Sequence, residues 1–221
     1  MKILVSEEIA SRCPEFTGVA LEATVVNTSF SDGLWREIHA AEADCRSRLT
    51  TETVKELPPV AATREAYRRC GKDPSRYRPS AEALMRRVLK NADLYQISTV
   101  VDLVNLASLV YGYSIGGFDA GLIDGDTLTL GIGREGEPYE GIGRGALNIA
   151  GMPVYRDATG GVGTPTSDNE RTKLSLATTH LLVIVNGYDG DSANTRACAD
   201  FIADLLRRYA SATDICLVKF P

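Results

Sequence analysis

The chain is poor in the residues from which the commonest catalytic centres are built. Its 221 residues include two histidines, His39 and His180, so a three-histidine metal centre is excluded and imidazole base catalysis has two candidates. The five cysteines, Cys13, Cys45, Cys70, Cys198 and Cys216, are odd in number and contain no C-x-x-C pair. That pattern fits neither a disulfide framework nor a zinc site, and the five are expected to be ordinary buried thiols. Apolar runs such as Leu181 to Val185 fall far short of the roughly 20 residues that cross a bilayer, and the segment from Met1 to Glu8 carries no signal-peptide pattern. The expected location is therefore cytoplasmic, without membrane contact. No repeat or low-complexity linker divides the chain, and 44% apolar with 24% charged residues suits one packed domain over 1–221, with 1–60 as an N-terminal extension on its core.

The net charge of -5 conceals an asymmetry. Arg64 to Lys90 carries nine basic residues against Glu65, Asp73 and Glu82, a segregation that can attract a polyanion despite the acidic average. Arg76, Arg78, Arg86 and Arg87 are the members expected to face such a polyanion.

Periodicity predicts short strands at Lys2 to Val5 and Val19 to Val25. Leu34, Trp35, Ile38, Ala41 and Cys45 recur at helical spacing over 32–49, with Ser31 or Asp32 as the cap. Further helices are expected from Pro58 to Gly71, from Pro79 onward and over Thr99 to Val110. The last is apolar except for Asp102, Asn105 and Ser108, which lie roughly along one face and must find partners, a cavity lining being one source. After Gly112 short β-like runs follow: Thr127 to Leu130 behind a hairpin-type turn at Ile123 to Asp126, Met152 to Arg156, Leu181 to Val185 and Ile215 to Phe220. A helix over Ser192 to Tyr209 precedes the last. Helices first and strands after argue for α+β rather than βαβ alternation.

Three motifs match catalytic patterns only in part. Gly131-Ile132-Gly133-Arg134-Glu135-Gly136 fits G-x-G-x-x-G, with Asp157 downstream, but Glu137-Pro138-Tyr139 cannot open the helix on which a pyrophosphate would sit. Gly112-Tyr113-Ser114-Ile115-Gly116 fits the nucleophile elbow, with Asp157 or Asp168 and then His180 in hydrolase order; a buried helix precedes the serine where a strand is required. Asp189-Gly190-Asp191 with Asn194 and Asp200 lacks the glycine of a calcium loop and reads as a turn and helix cap. No cofactor or metal is expected. The densest polar segment is Gly163 to Thr172, a structured loop whose side chains could hold a water, a sugar hydroxyl or an α-amino group.

Three blocks together carry a resemblance: Tyr67-Arg68 through Gly71, Asp73-Pro74 and Arg78 to Arg87; Asp102, Asn105, Ser108, Asp119 and Gly125; and Gly163 through Thr172. Over roughly Arg64 to Val185 the chain resembles the B3/B4-type tRNA-editing domain of the phenylalanyl-tRNA synthetase beta chain, in freestanding form. The resemblance implies an α+β fold with a central, mostly antiparallel sheet flanked by helices. It further implies hydrolysis of a mischarged aminoacyl-tRNA in trans by a positioned water, with tRNA and its amino-acid moiety as partners and a homodimer left open. The residues expected to act are Asn105, Asp168 and Thr164 as catalytic groups, Asp168 also gripping the α-ammonium, with Ser108, Asp119, Gly163, Ser167, Arg171 and Thr172 as substrate contacts. The chain departs from the synthetase domain at Val104, where threonine is usual, at Gly116, where histidine is usual, and near Val183 to Val185, where the synthetase has a glutamate that reads tyrosine. The alternatives are a noncatalytic RNA or amino-acid-type binding module and, behind it, a serine hydrolase.

Overall fold

The computed structural model describes residues 1–221. In chain order it comprises β1 (Lys2–Val5), α1 (Glu7–Arg12), β2 (Thr17–Thr24), α2 (Asp32–Arg48), α3 (Pro58–Cys70), α4 (Ser80–Leu89), α5 (Thr99–Tyr111), β3 (Ile115–Asp119) and β4 (Thr127–Ile132). The short pair β5 (Glu140–Gly141) and β6 (Gly145–Ala146) follows, then β7 (Pro153–Arg156), β8 (Gly161–Gly163), β9 (His180–Gly187), α6 (Ser192–Tyr209) and β10 (Thr213–Phe220). The fold is α+β, with sheets flanked by helices.

Local chemistry explains the helix ends. The Ser31 side chain accepts from the Leu34 amide at the start of α2, and Pro58 opens α3, where its missing N–H costs nothing. Gly71 ends α3 at φ +95° and Gly112 ends α5 at φ +79°, left-handed conformations that glycine adopts without a Cβ clash.

Four antiparallel strands in the order β10-β2-β9-β3 form one sheet, and β1-β4-β7-β8 form a second in which only the β1–β4 pairing is parallel. Period-two alternation divides the first sheet between two cores. Val19, Leu21 and Ala23 of β2 and Leu181, Val183 and Val185 of β9 pack with α2, α5 and α6. Ala20, Leu182 and Ile184 point the other way, against Leu128, Leu130, Tyr155 and Val162 of the second sheet. The molecule is thus a helical layer, a sheet and a second sheet. Residues 1–60 contribute one strand to each of these two sheets and the helices α1 and α2.

The turn at Ile123 to Asp126 does not close a hairpin, contrary to the sequence expectation. Strand β3 pairs with β9, whereas β4 crosses to the second sheet and pairs with β1 and β7. Helix α1 and the strands β5, β6 and β8 carry too few residues to leave a periodicity. Four cysteines are buried, but Cys216 is exposed on the edge strand β10.

Asp102 joins three segments. Its carboxylate accepts from Trp35 Nε1 of α2 at 2.9 Å and from the Ile97 amide at 2.9 Å, and burial pushes its pKa upward. A partner from another helix, not the polar loop, satisfies this member of the α5 stripe. Trp35→Phe leaves one carboxylate oxygen without its buried donor, so urea unfolding is expected to show a loss of about 1–3 kcal/mol.

Candidate functional site

The loop that follows β8 is held from all sides. Tyr67 of α3, fully buried, meets Thr166 Oγ1 at 2.7 Å, and the Ser80 amide at the head of α4 donates to Pro165 O at 2.7 Å. Tyr139, whose phenol is kept protonated by burial, donates to Ser167 O at 2.7 Å, and the Ile142 amide donates to Asp168 O at 3.0 Å. Thr164 Oγ1 donates to Ser167 O at 3.0 Å and accepts the Ser167 amide at 3.2 Å, closing the turn from within.

These ties fix Asp168. One carboxylate oxygen accepts the Gly117 amide of β3 at 3.1 Å, and the other lies beside Gly163 and Gly116. A Cβ at Gly163 would stand 3.0 Å from Asp168 Oδ1 and 2.5 Å from the Phe118 ring; one at Gly116 would meet the same ring at 2.6 Å. Glycine at both positions is therefore a packing requirement, and the space a histidine at 116 would need is filled by Phe118. Burial raises the Asp168 pKa to about 7, the Gly117 amide offsetting only part of the desolvation.

Asp168 and Asn105 line one cavity of about 370 Å³, whose other walls are Ile97, Val101, Val104, Ile115, Gly117, Ile142, Lys173 and Leu174. The Lys173 ammonium is paired with Glu170, so its methylene stem is what the cavity meets. Asn105 also borders a second cavity of about 280 Å³ with Ser80, Ala83, Leu84, Arg87, Tyr95, Arg144 and Thr166. There the Arg87 guanidinium lies 3.7 Å from the centroid of the exposed Tyr95 ring. The sequence pointed to the Asn105 helix and the Asp168 loop, which the fold brings together. It did not point to Tyr95 or Arg144, isolated residues in irregular segments, nor to the apolar walls, which resemble any core residue.

The remaining expected contacts stand elsewhere. Asp119 accepts from the Gly121 amide and from Thr178 Oγ1, so it caps a turn. Arg171 is paired with Asp157 at 2.9 Å and donates to Leu122 O. Ser108 and Thr172 are buried, Thr172 donating to Val162 O, and Ser167 Oγ donates to Asp168 O. Gly163 makes room for Asp168 without itself lining the cavity.

The basic segment is partly neutralised by one buried carboxylate. Glu82 of α4 is met by Arg64 at 2.8 Å, Arg86 at 2.8 Å and Arg78 at 3.6 Å. Arg76 and Arg87 have no acidic partner. Arg86 and Arg78 thus serve the protein's own charge before any external anion.

The partial motifs resolve into structure. Gly131 lies within β4 and Gly133 approaches Ile149 O so closely that a Cβ would stand 2.0 Å from it; no helix follows. Ser114 is buried before β3 and accepts the Ala81 amide at 3.4 Å, while His180 is exposed at the start of β9. Asp191 caps α6 by accepting the Asn194 amide, and Asp189 accepts from Tyr113 OH. His39, Glu42 and Asp93 offer ligand atoms within 4.8 Å of one another, but Glu42 already takes the Leu94 amide and Asp93 is paired with Arg46. This group shares no residue with either cavity.

Two outcomes follow. A carboxyl that titrates near 3.9 unfolded and near 7 folded holds its proton more tightly in the folded chain, so its ionisation costs stability progressively as pH rises between those values. Asp168→Asn should match the parent near pH 4 and exceed it in Tm by about 5 °C at pH 8, taking about 2 kcal/mol after discounting for solvent in the cavity. Calorimetry at both pH values checks this. Ser114→Ala should retain whatever activity the protein has and take no fluorophosphonate label.

Comparison with known proteins bears on this site. No curated protein matches the chain. Among solved structures, an N-terminal fragment of the phenylalanyl-tRNA synthetase beta-subunit from Pyrococcus horikoshii matches 100% of this chain with a TM-score of 0.54 and 10% identity, a likeness of fold. The chain spans about half of that fragment, 54% of its length. The sequence model of the B3/4 domain matches residues 62–215, which takes in most of α3, the Asn105 helix, both cavities and the Asp168 loop, and the chain belongs to the B3/4 domain family.

Proposed function

We propose that the chain binds the aminoacylated 3′ end of a tRNA and hydrolyses the ester with a positioned water. The observation that carries this reading is a half-buried, largely desolvated carboxylate in a mostly apolar cavity that adjoins, across Asn105, a second cavity bearing Arg87, Arg144 and Tyr95. A carboxylate whose charge is disfavoured by burial gains most from a cation that buries with it, and an aminoacyl ester presents an α-ammonium next to its reacting carbonyl. A nucleotide presents phosphate for the arginines and a base for stacking on Tyr95.

The roles follow from position. Asp168 grips the α-ammonium, Asn105 donates to the ester carbonyl, and Thr164 acts through the loop, its hydroxyl being used in the turn. The first cavity has no serine, cysteine or histidine in its walls. The ester is already activated, so orientation of a water, helped by the neighbouring ribose hydroxyl, supplies the rate. Family membership and the synthetase-like fold support a tRNA context.

Three measurements test the reading. A panel of correctly and incorrectly charged tRNAs should show loss of labelled amino acid for a subset, and Asp168→Ala or Asn105→Ala should each lower kcat/KM on the order of 10²-fold. Because the ionised Asp168 is the binding form, kcat/KM should fall about tenfold per pH unit below about 7. With Arg76, Arg87 and Arg144 as the contacts free of acidic partners, the log–log salt slope of tRNA binding should be about -2 rather than the steeper value nine cations would give. Specific binding without deacylation across the panel would make the protein a binding module.

A further inference from the structure

Resting on that reading, we infer that the amino acid taken by the first cavity has a hydrocarbon side chain, aliphatic or phenyl, and that tyrosine is discriminated against. The walls available to a side chain are Ile97, Val101, Val104, Ile115, Ile142 and Leu174. The polar groups beside them are few, and each has a partner or a role in the proposed binding of the aminoacyl end. The Gly117 amide is bonded to Asp168, the Lys173 ammonium is paired with Glu170, Asp168 faces the α-ammonium, and Asn105 stands at the junction with the nucleotide cavity.

The adjacent strand brings nothing polar either. In the β3–β9 register Ile115 lies opposite Val185 and Gly117 opposite Val183, so these pairs share a face of the sheet, and both valines belong to the helical core. A phenol hydroxyl placed against the buried walls Val104 and Ile115 would lose its water hydrogen bonds without replacement. A polar or charged terminus would lose more. The volume, about 370 Å³, lies at the small end of small-molecule sites and suits one amino-acid side chain with its α-carbon.

Selectivity from such walls has a characteristic size. An apolar pocket rejects an otherwise equal ligand bearing one hydroxyl by about 10²-fold, and ranks hydrocarbons differing by one methylene by roughly 10- to 200-fold. Phenylalanine should therefore exceed tyrosine by about 10², and the aliphatic residues should differ among themselves according to fit.

The experiment charges one tRNA transcript in turn with leucine, isoleucine, phenylalanine, tyrosine, serine and lysine and measures kcat/KM for deacylation by the full chain. In parallel, the Kd of non-hydrolysable 3′-aminoacylamido-adenosines carrying the same six residues is measured. The expected result is a hydrocarbon preference in both series, with tyrosine about 10²-fold below phenylalanine. Hydrocarbon-selective amide binding without ester cleavage would support the side-chain assignment while removing the catalytic part of the proposed function. Binding of tyrosine or serine as tight as that of phenylalanine would overturn the inference alone, and absence of all binding would remove both.

Variants locate the selectivity. Ile142→Gln, at an exposed position that tolerates polarity, and Leu174→Gln each place a carboxamide in the wall. Each should narrow the phenylalanine-to-tyrosine ratio by about tenfold while total binding of the leucine amide falls. A ratio unchanged in both variants, with folding verified by circular dichroism, would place the side chain outside this cavity and overturn the assignment.

Discussion

Strand β9 is paired along both edges and packed on both faces, and a strand in that position must be an uninterrupted apolar run. From Leu181 to Val185 no side chain carries a polar atom, and alternate residues serve the helical core and the core between the sheets. The backbone groups are satisfied by β2 on one side and β3 on the other, so the run buries no unpaired amide. This strand sets the spacing of the three layers. Tyr155 OH donates to Asn186 near its end, and Asn186 donates to Ser114 O, which locks the second sheet to the segment entering β3.

The site is a consequence of that arrangement. Strand β3 lies against β9, and its Gly116 together with Gly163 of β8 leaves the space into which Phe118 and Asp168 fit. The loop carrying Asp168 is then tied to α3 through Thr166 and to α4 through Pro165, so elements far apart in sequence converge on one carboxyl. Its raised pKa is the electrostatic price of this convergence, and a bound cation would lower it again.

Electrostatics at the neighbouring helix shows why a count of charges misleads. Glu82 is almost wholly buried and gathers Arg64, Arg78 and Arg86 around it, an arrangement in which several cations compensate one desolvated anion. Much of the positive charge in the segment from Arg64 to Lys90 is thereby internal. What is left for an external polyanion is a smaller set around Arg76 and Arg87, joined by Arg144 from a distant hairpin.

The long helices and the buried strand were legible because periodicity survives in ten or more residues, or in one unbroken apolar run; α2, α5, α6 and β9 each carry such a signal. The α+β class, the polar loop and the odd asparagine on an apolar helix were legible for the same local reason. Which strand pairs with which was not, since β3 and β4 are separated by a turn that local chemistry reads as a hairpin and the long-range partners β9 and β1 override it. Nor could sequence distinguish an arginine bound to Glu82 from one facing solvent, or a wall residue such as Ile142 from a core one. By itself the sequence determined the elements and the chemical types of Asn105 and Asp168. Only the tertiary structure decided their neighbours, because burial, ion pairing and cavity walls arise from residues distant along the chain and close in space.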